Sequence, residues 1–127
     1  MQRKVLLSIK PEYAERIFNG TKRYEFRRVV FKEPDIQTVV VYVSTPVKKV
    51  IGEFELEKII TLPKDKLWRL TKTEAGIDKA GYDDYFLNKE YATALKVKTI
   101  RRYRTPLCLK KDFQIKHPPQ SFIYLGG

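Results

Sequence analysis

The feature that most constrains the fold is a series of short runs rich in valine, isoleucine, tyrosine and phenylalanine, separated by prolines and glycines. Apolar and polar residues alternate along most of these runs, which is typical of strands that place one face on a core. We therefore predict strands at residues 4–9, 22–29, 38–44, 47–62, 91–104 and 121–125. The fourth should bend at Gly52, and the fifth should be interrupted before Pro106.

Helical periodicity occurs in three segments between these runs. Pro11 opens the first helix, because a proline at the first position loses no intrahelical hydrogen bond, and Asn19-Gly20 ends it. Residues 64–73 and 78–88 predict two shorter amphipathic helices. Five or six strands with two or three helices indicate an α+β fold, a small mixed β-barrel with peripheral helices. Closure into a barrel would remove exposed strand edges, and we expect residues 1–127 to form a single domain.

The formal net charge of +11 favours a polyanionic partner, with nucleic acid ranked before an anionic membrane surface. No apolar segment approaches the roughly 20 residues that a membrane-spanning helix needs, and we see no signal-peptide pattern. Cys108 is the only cysteine, so no internal disulfide can form, which suits a reducing compartment. We therefore expect a cytoplasmic protein that binds RNA or another nucleic acid and has no membrane partner.

Composition also argues against several kinds of catalytic site. The chain has no glycine-rich phosphate loop, and His117 is its only histidine, which excludes a histidine-based metal cluster or catalytic triad. We predict no metal ion and no organic cofactor. Any chemistry must then rest on lysine, arginine, acidic or hydroxyl side chains.

A strongly basic stretch covers residues 96–116, in which Asp112 is the one acidic residue. Arg101, Arg102 and Arg104 surround Tyr103, an arrangement that can follow an RNA backbone and stack a base. The alternative is a solvated strand whose charged groups simply point outward.

A second charged segment covers residues 22–28. Glu25 and Arg27 are two positions apart, so in a strand they share one face while Tyr24 and Phe26 face the core. The pair can be an exposed salt bridge of small energetic value or a pair of ligand contacts. Lys22 is expected at the start of this strand, beside the preceding turn.

The pattern G-x-K-x-x-E-x-R at residues 20–27 follows the first predicted helix, which itself follows LSIKP at residues 7–11. Further along are VSTP at residues 43–46, VIG at residues 50–52 and PPQSF at residues 118–122. In this order the motifs resemble the activating signal cointegrator homology (ASCH) domain, and the likeness covers nearly the whole chain. It is greatest to the compact, single-domain prokaryotic members.

The resemblance implies a β-barrel related to the PUA domains, which bind RNA. It places Lys22, Glu25 and Arg27 at a cleft between barrel and helix, where RNA or a nucleotide is expected to bind. Some relatives hydrolyse the amide of acetylated cytidine with a lysine, a threonine and a distant glutamate; Lys22 matches the lysine, whereas Glu25 occupies the threonine position. Weaker candidates, placed by adjacency at strand ends, are Ser8, Lys10, Ser44 and Thr45.

RNA binding is therefore the leading functional hypothesis, with the basic strand holding phosphates and the cleft accepting a base or an unusual RNA end. The first alternative is a nucleic-acid or nucleoside hydrolase, either a ribonuclease or an acetylcytidine-type amidohydrolase. In it, Lys22 acts as a base or stabilises an oxyanion, and Glu25 activates water or orients Lys22. The second alternative is a transcriptional coregulator that acts through protein partners. The sequence does not decide between an enzyme and a binding module.

Overall fold

Strands and helices follow one another in an order close to that predicted from the sequence. The structure is a computed structural model and describes residues 3–126. A turn of 3-10 helix, Lys72–Glu74, follows the second α-helix. The elements are β1 (Lys4–Ile9), α1 (Pro11–Phe18), β2 (Tyr24–Arg27), β3 (Thr38–Val43), β4 (Lys49–Pro63), α2 (Lys64–Thr71), α3 (Lys79–Tyr85), β5 (Tyr91–Leu107), α4 (Leu109–Phe113) and β6 (Phe122–Leu125).

The strands form one mixed sheet in the order β2-β5-β4-β3-β1-β6, in which β1 and β3 are parallel and the other pairs antiparallel. This arrangement confirms the predicted α+β class and the number of strands. The expected closure is not found, because among residues 3–126 the edge strands β2 and β6 do not pair. Both edges are short, and a side chain links them instead: Arg27 Nη2 donates to the Ser121 carbonyl oxygen over 3.0 Å.

The long antiparallel pair β4–β5 forms the centre of the sheet. The predicted bend at Gly52 is confirmed by a register shift between Val50 and Gly52. A Cβ at Gly52 would lie 2.6 Å from the Arg101 carbonyl oxygen, so no larger residue fits there without movement. β5 continues through Pro106, against expectation; proline is tolerated because, among residues 3–126, β2 pairs with β5 only at residues 93–96.

Two apolar clusters determine where the helices sit. One packs α1 against the sheet through Ile17, Phe54 and Val97. The other packs α2 and α3 against β2, with Phe26 in edge contact with the Tyr82 and Phe86 rings. The segment from residue 22 to residue 27 therefore runs between α1 and α3.

A third cluster lies under α4, a five-residue helix that the sequence did not predict. Residues 3–126 thus contain four α-helices where two or three were expected. Within residues 3–126, none of the helices has the length and apolar character needed to cross a bilayer.

Candidate functional site

A cleft of about 340 Å³ opens between α1, β2 and α3. Its walls include the three residues predicted as the centre of the site, Lys22, Glu25 and Arg27. Ser8 and Lys10, at the end of β1, also line it. The fold therefore brings together five of the side chains selected from the sequence.

Lys22 lies at the base of this cleft and is only 2% exposed. It precedes β2 rather than starting it, since the strand begins at Tyr24. Its Nζ donates to the Ala75 carbonyl oxygen over 2.6 Å and lies 5.2 Å and 4.8 Å from the ring centroids of Tyr13 and Phe26. These contacts partly replace the water that a buried ammonium group loses.

Burial lowers the pKa of Lys22 to about 8, because the charged amine is poorly solvated. Glu25 opposes this shift by attraction, whereas the positive charge of Arg16 adds to it. Near pH 8 the amine is thus present in both forms. It can donate a hydrogen bond, carry a charge towards an anion or accept a proton.

The backbone segment from residue 74 to residue 76 holds Lys22 in place. Gly76 has a φ of 64°, and a Cβ there would lie 2.5 Å from the aliphatic carbons of Lys22. Arg16 Nη1 donates to the Gly76 carbonyl oxygen over 2.9 Å, and the Arg23 amide donates to the Glu74 carbonyl oxygen over 2.8 Å. Because Gly76 has no side chain, the backbone at this residue packs directly against the aliphatic part of Lys22 and fixes its position.

Glu25 and Arg27 form a buried pair rather than an exposed one. Arg27 Nη1 lies 3.2 Å from Glu25 Oε2, and the two residues are 9% and 5% exposed. Arg27 also donates to the carbonyl oxygens of Ser8 (3.2 Å) and Ser121 (3.0 Å). Much of the arginine is thus engaged within the protein. Among the hydrogen bonds of residues 3–126, Glu25 accepts only at Oε2, and Oε1 is not one of the buried oxygens, so Oε1 can accept from a ligand.

Several lining residues were not selected from the sequence. Arg28 lies over the Tyr85 ring, with Cζ 4.8 Å from its centroid, at one side of the cleft, and Tyr13 contributes a second ring. Gln120 lines the cleft beside the Ser8 hydroxyl, which donates to the Pro119 carbonyl oxygen over 2.7 Å. Both tyrosines lie on helices, Tyr13 on α1 and Tyr85 on α3. Gln120 belongs to the PPQSF motif, which was a signal that could have identified it.

The other candidates lie outside the cleft lining. The Ser44 amide donates to the Ile9 carbonyl oxygen, and Thr45 is exposed. The three arginines of β5 are exposed as well: Arg101 stacks on its neighbour Tyr103, Arg102 pairs with Glu15 of α1 at 2.8 Å, and Arg104 follows them. Within residues 3–126, no three His, Cys, Asp or Glu side chains are grouped so that they could hold a metal ion.

Comparison with known proteins gives consistent matches. The family model of the ASCH domain matches residues 7–101. The chain is 33% identical over 127 residues to the "ASCH domain-containing ribonuclease" of Zymomonas mobilis, across 98% of this chain and 85% of that protein. The crystal structure of ASCH from the same organism superposes with a TM-score of 0.88 at 34% identity, covering 97% of this chain and 87% of the other.

A further relative is ATP synthase subunit alpha of Ureaplasma parvum, which is 34% identical over 122 residues. This match covers 95% of the present chain but only 15% of the synthase subunit.

Proposed function

Because the chain belongs to the ASCH domain family, we propose that it binds RNA and holds one nucleotide of that RNA in the cleft around Lys22 and Glu25. The observation that carries this proposal is the buried amine of Lys22 beside the carboxylate of Glu25 in an open cleft. A buried amine and carboxylate are costly to maintain, and a ligand-binding role at the cleft that they line would account for that cost.

The dimensions and chemistry of the cleft suit a single nucleotide. Its volume of about 340 Å³ is at the small end of ligand sites, which span about 300–1,000 Å³. Tyr13 and Tyr85 offer ring faces for stacking, as proteins that read unpaired bases use. Glu25 Oε1 can accept a hydrogen bond from a base amine, and Lys22 can donate to a keto or phosphate oxygen.

The second part of the proposal concerns the basic residues of strand β5. Arg101, Arg102 and Arg104 would contact phosphates of the same RNA outside the cleft, since these side chains are exposed on β5. The net charge of +11 favours such contacts, which depend strongly on salt and little on sequence.

The test is a native-gel shift of a labelled transfer RNA at low and high salt. Lys22→Met keeps the length of the side chain and removes its charge, and Lys66→Met is the matched control, because Lys66 is exposed on α2. We expect a salt-sensitive shift with the wild type and the control, and a weaker shift with Lys22→Met. Equal binding by all three proteins, or no binding at any salt concentration, would refute the proposal.

Cleavage of the bound RNA is a second candidate function, favoured by the relative named as a ribonuclease. In this version, neutral Lys22 removes the proton from a ribose 2′-hydroxyl, which attacks the adjacent phosphorus and displaces the 5′-oxygen. Glu25 orients the amine. One product would end in a 2′,3′-cyclic phosphate, and the other would begin with a 5′-hydroxyl, whose oxygen takes a proton from the solvent as it leaves.

A denaturing gel of the same samples tests this candidate. Because the neutral amine is the base, the rate should rise with pH through about 8 and then level off. Cleavage that survives in Lys22→Met would exclude the mechanism, while intact RNA in every sample would leave a binding module.

A further inference from the structure

A second hollow, larger than the cleft, lies on another part of the molecule. It has a volume of about 800 Å³ and is bounded by the loop between β2 and β3 and by the central parts of β4 and β5. Within residues 3–126 it shares no lining residue with the cleft. Leu56 and Ile59 contribute apolar surface, and Ile59 is 41% exposed. We call this hollow the β4 groove.

The acidic residues of the β4 groove are already engaged by the protein. The contacts are Glu33 with the Arg3 guanidinium, Glu57 Oε2 with Lys96 Nζ at 3.1 Å, and Glu55 Oε1 with the Thr38 hydroxyl at 2.9 Å. The charges of Glu33 and Glu57 are therefore paired with cations, whereas Glu55 keeps its negative charge and receives a hydrogen bond from a neutral hydroxyl.

The lysines of the β4 groove are in the opposite situation. Lys32, Lys58 and Lys98 come from the loop, β4 and β5, and all three are exposed. None of them forms an ion pair with a carboxylate of residues 3–126. The groove therefore presents three unpaired positive charges against the one unpaired negative charge of Glu55, around an aliphatic floor.

We propose that the β4 groove is a second RNA-binding site, which holds the phosphates of a single RNA strand. This inference rests on the proposed function, since it takes RNA as the partner. The lysines surround a hollow rather than cover a flat face, which suits a flexible strand better than a membrane surface. Among the described residues that line the groove, Phe31 is the one aromatic residue, and it is only 5% exposed. Bases therefore find no ring to stack on, and binding here is independent of sequence.

Lys98 lies on the same strand as the exposed arginines of β5, three residues before Arg101 and four residues before Arg102. We call Arg101, Arg102 and Arg104 the basic strip. The groove thus adds contacts to the RNA without taking part in the cleft.

The test is the salt dependence of binding to a fluorescent oligouridylate, followed by anisotropy. The groove variant combines Lys32→Gln, Lys58→Gln and Lys98→Gln. The control variant combines Lys66→Gln, Lys72→Gln and Lys89→Gln, which removes three exposed lysines that do not line either hollow. Both variants lower the net charge by the same amount.

Each phosphate contact on a single strand contributes about 0.7 to the slope of log affinity against log salt. We expect the groove variant to lose about 2 from this slope and the control variant to lose much less. Equal losses in the two variants would show an effect of net charge alone and would overturn the groove site. If Lys22→Met weakens binding while the groove variant behaves as the control does, the proposed function stands and the groove fails. Absence of RNA binding by the wild type would overturn both.

Discussion

At the scale of the residue, the central feature is a lysine that the fold keeps partly neutral. Lys22 has one carbonyl acceptor, two ring faces and a nearby carboxylate, but little water. Its pKa of about 8 results from burial, with Glu25 and Arg16 acting in opposite directions. The amine is therefore tuned by neighbours that the sequence places on two different elements.

The two neighbours give a pair of opposed predictions. Arg16→Gln removes a positive charge and should raise the pKa of Lys22, while Glu25→Gln removes a negative charge and should lower it further. The titration of the lysine side chain can be followed by NMR with labelled lysine. Shifts in the same direction, or none, would show that these side chains do not control the amine.

At the scale of the element, Arg27 joins three parts of the chain. It links β2 to the end of β1 and to the residue before β6, and it also binds Glu25. Arg27 thus connects β2 to the residue before β6. These two edge strands would pair with each other in a closed barrel. The cleft depends on the linkage, because Ser8 and Gln120 line it from those two segments.

Arg27→Gln should lower the free energy of unfolding by about 3 kcal/mol, because it leaves Glu25 buried without its cation. Hydrogen exchange should also quicken in residues 119–125. Arg28→Gln is the matched control, since Arg28 is exposed, and should change stability by less than about 0.5 kcal/mol. Denaturant titration measures both. Similar losses in the two variants would contradict the structural role of Arg27.

The segment at residues 74–76 gives a second prediction at this scale. Gly76 and Gly20 both have positive φ, of 64° and 87°, but a Cβ would strike Lys22 only at Gly76 and would meet nothing within 4 Å at Gly20. Gly20→Ala should cost about 1 kcal/mol from backbone strain. Gly76→Ala should cost more and should also change the titration of Lys22. Equal costs with an unchanged Lys22 would contradict the packing argument.

Local sequence signals predicted the bounds of an element well where the apolar residues of that element are buried. Pro11 and Asn19-Gly20 set the ends of α1. Alternation placed β1, and a run rich in valine and tyrosine placed β3, each within a residue of its observed bounds. The environment of Glu25 and Arg27 was not predictable in this way. Alternation puts both on a polar face, but distant segments at Ser8 and Ser121 cover that face.

The same limit applies to the rest of the candidate site. The motif resemblance selected Lys22, Glu25 and Arg27, which the cleft brings together. Adjacency at a strand end selected Ser44 and Thr45, yet the end of β3 lies outside the cleft. The rings of Tyr13 and Tyr85 were missed because helical periodicity cannot separate a core stripe from a cleft wall.

At the scale of the whole molecule, positive charge is distributed over three surfaces: the cleft, the basic strip of β5 and the β4 groove. The net charge of +11 exceeds what the cleft alone accounts for. We therefore expect RNA affinity to fall steeply with salt, while recognition of a particular base depends on the cleft. We thus expect the exposed positive charges to determine the affinity for RNA and the cleft to determine which base is preferred.

The most direct test of the cleft as the nucleotide site is an NMR titration of protein labelled in its lysine side chains with transfer RNA. The signal of Lys22 is identified by its absence from the spectrum of Lys22→Met, and the signal of Lys66 by its absence from the spectrum of Lys66→Met. We expect the Lys22 signal to shift in proportion to bound RNA, whereas the Lys66 signal should not shift. Shifts confined to exposed lysines, with Lys22 unchanged at saturation, would show that RNA binds elsewhere.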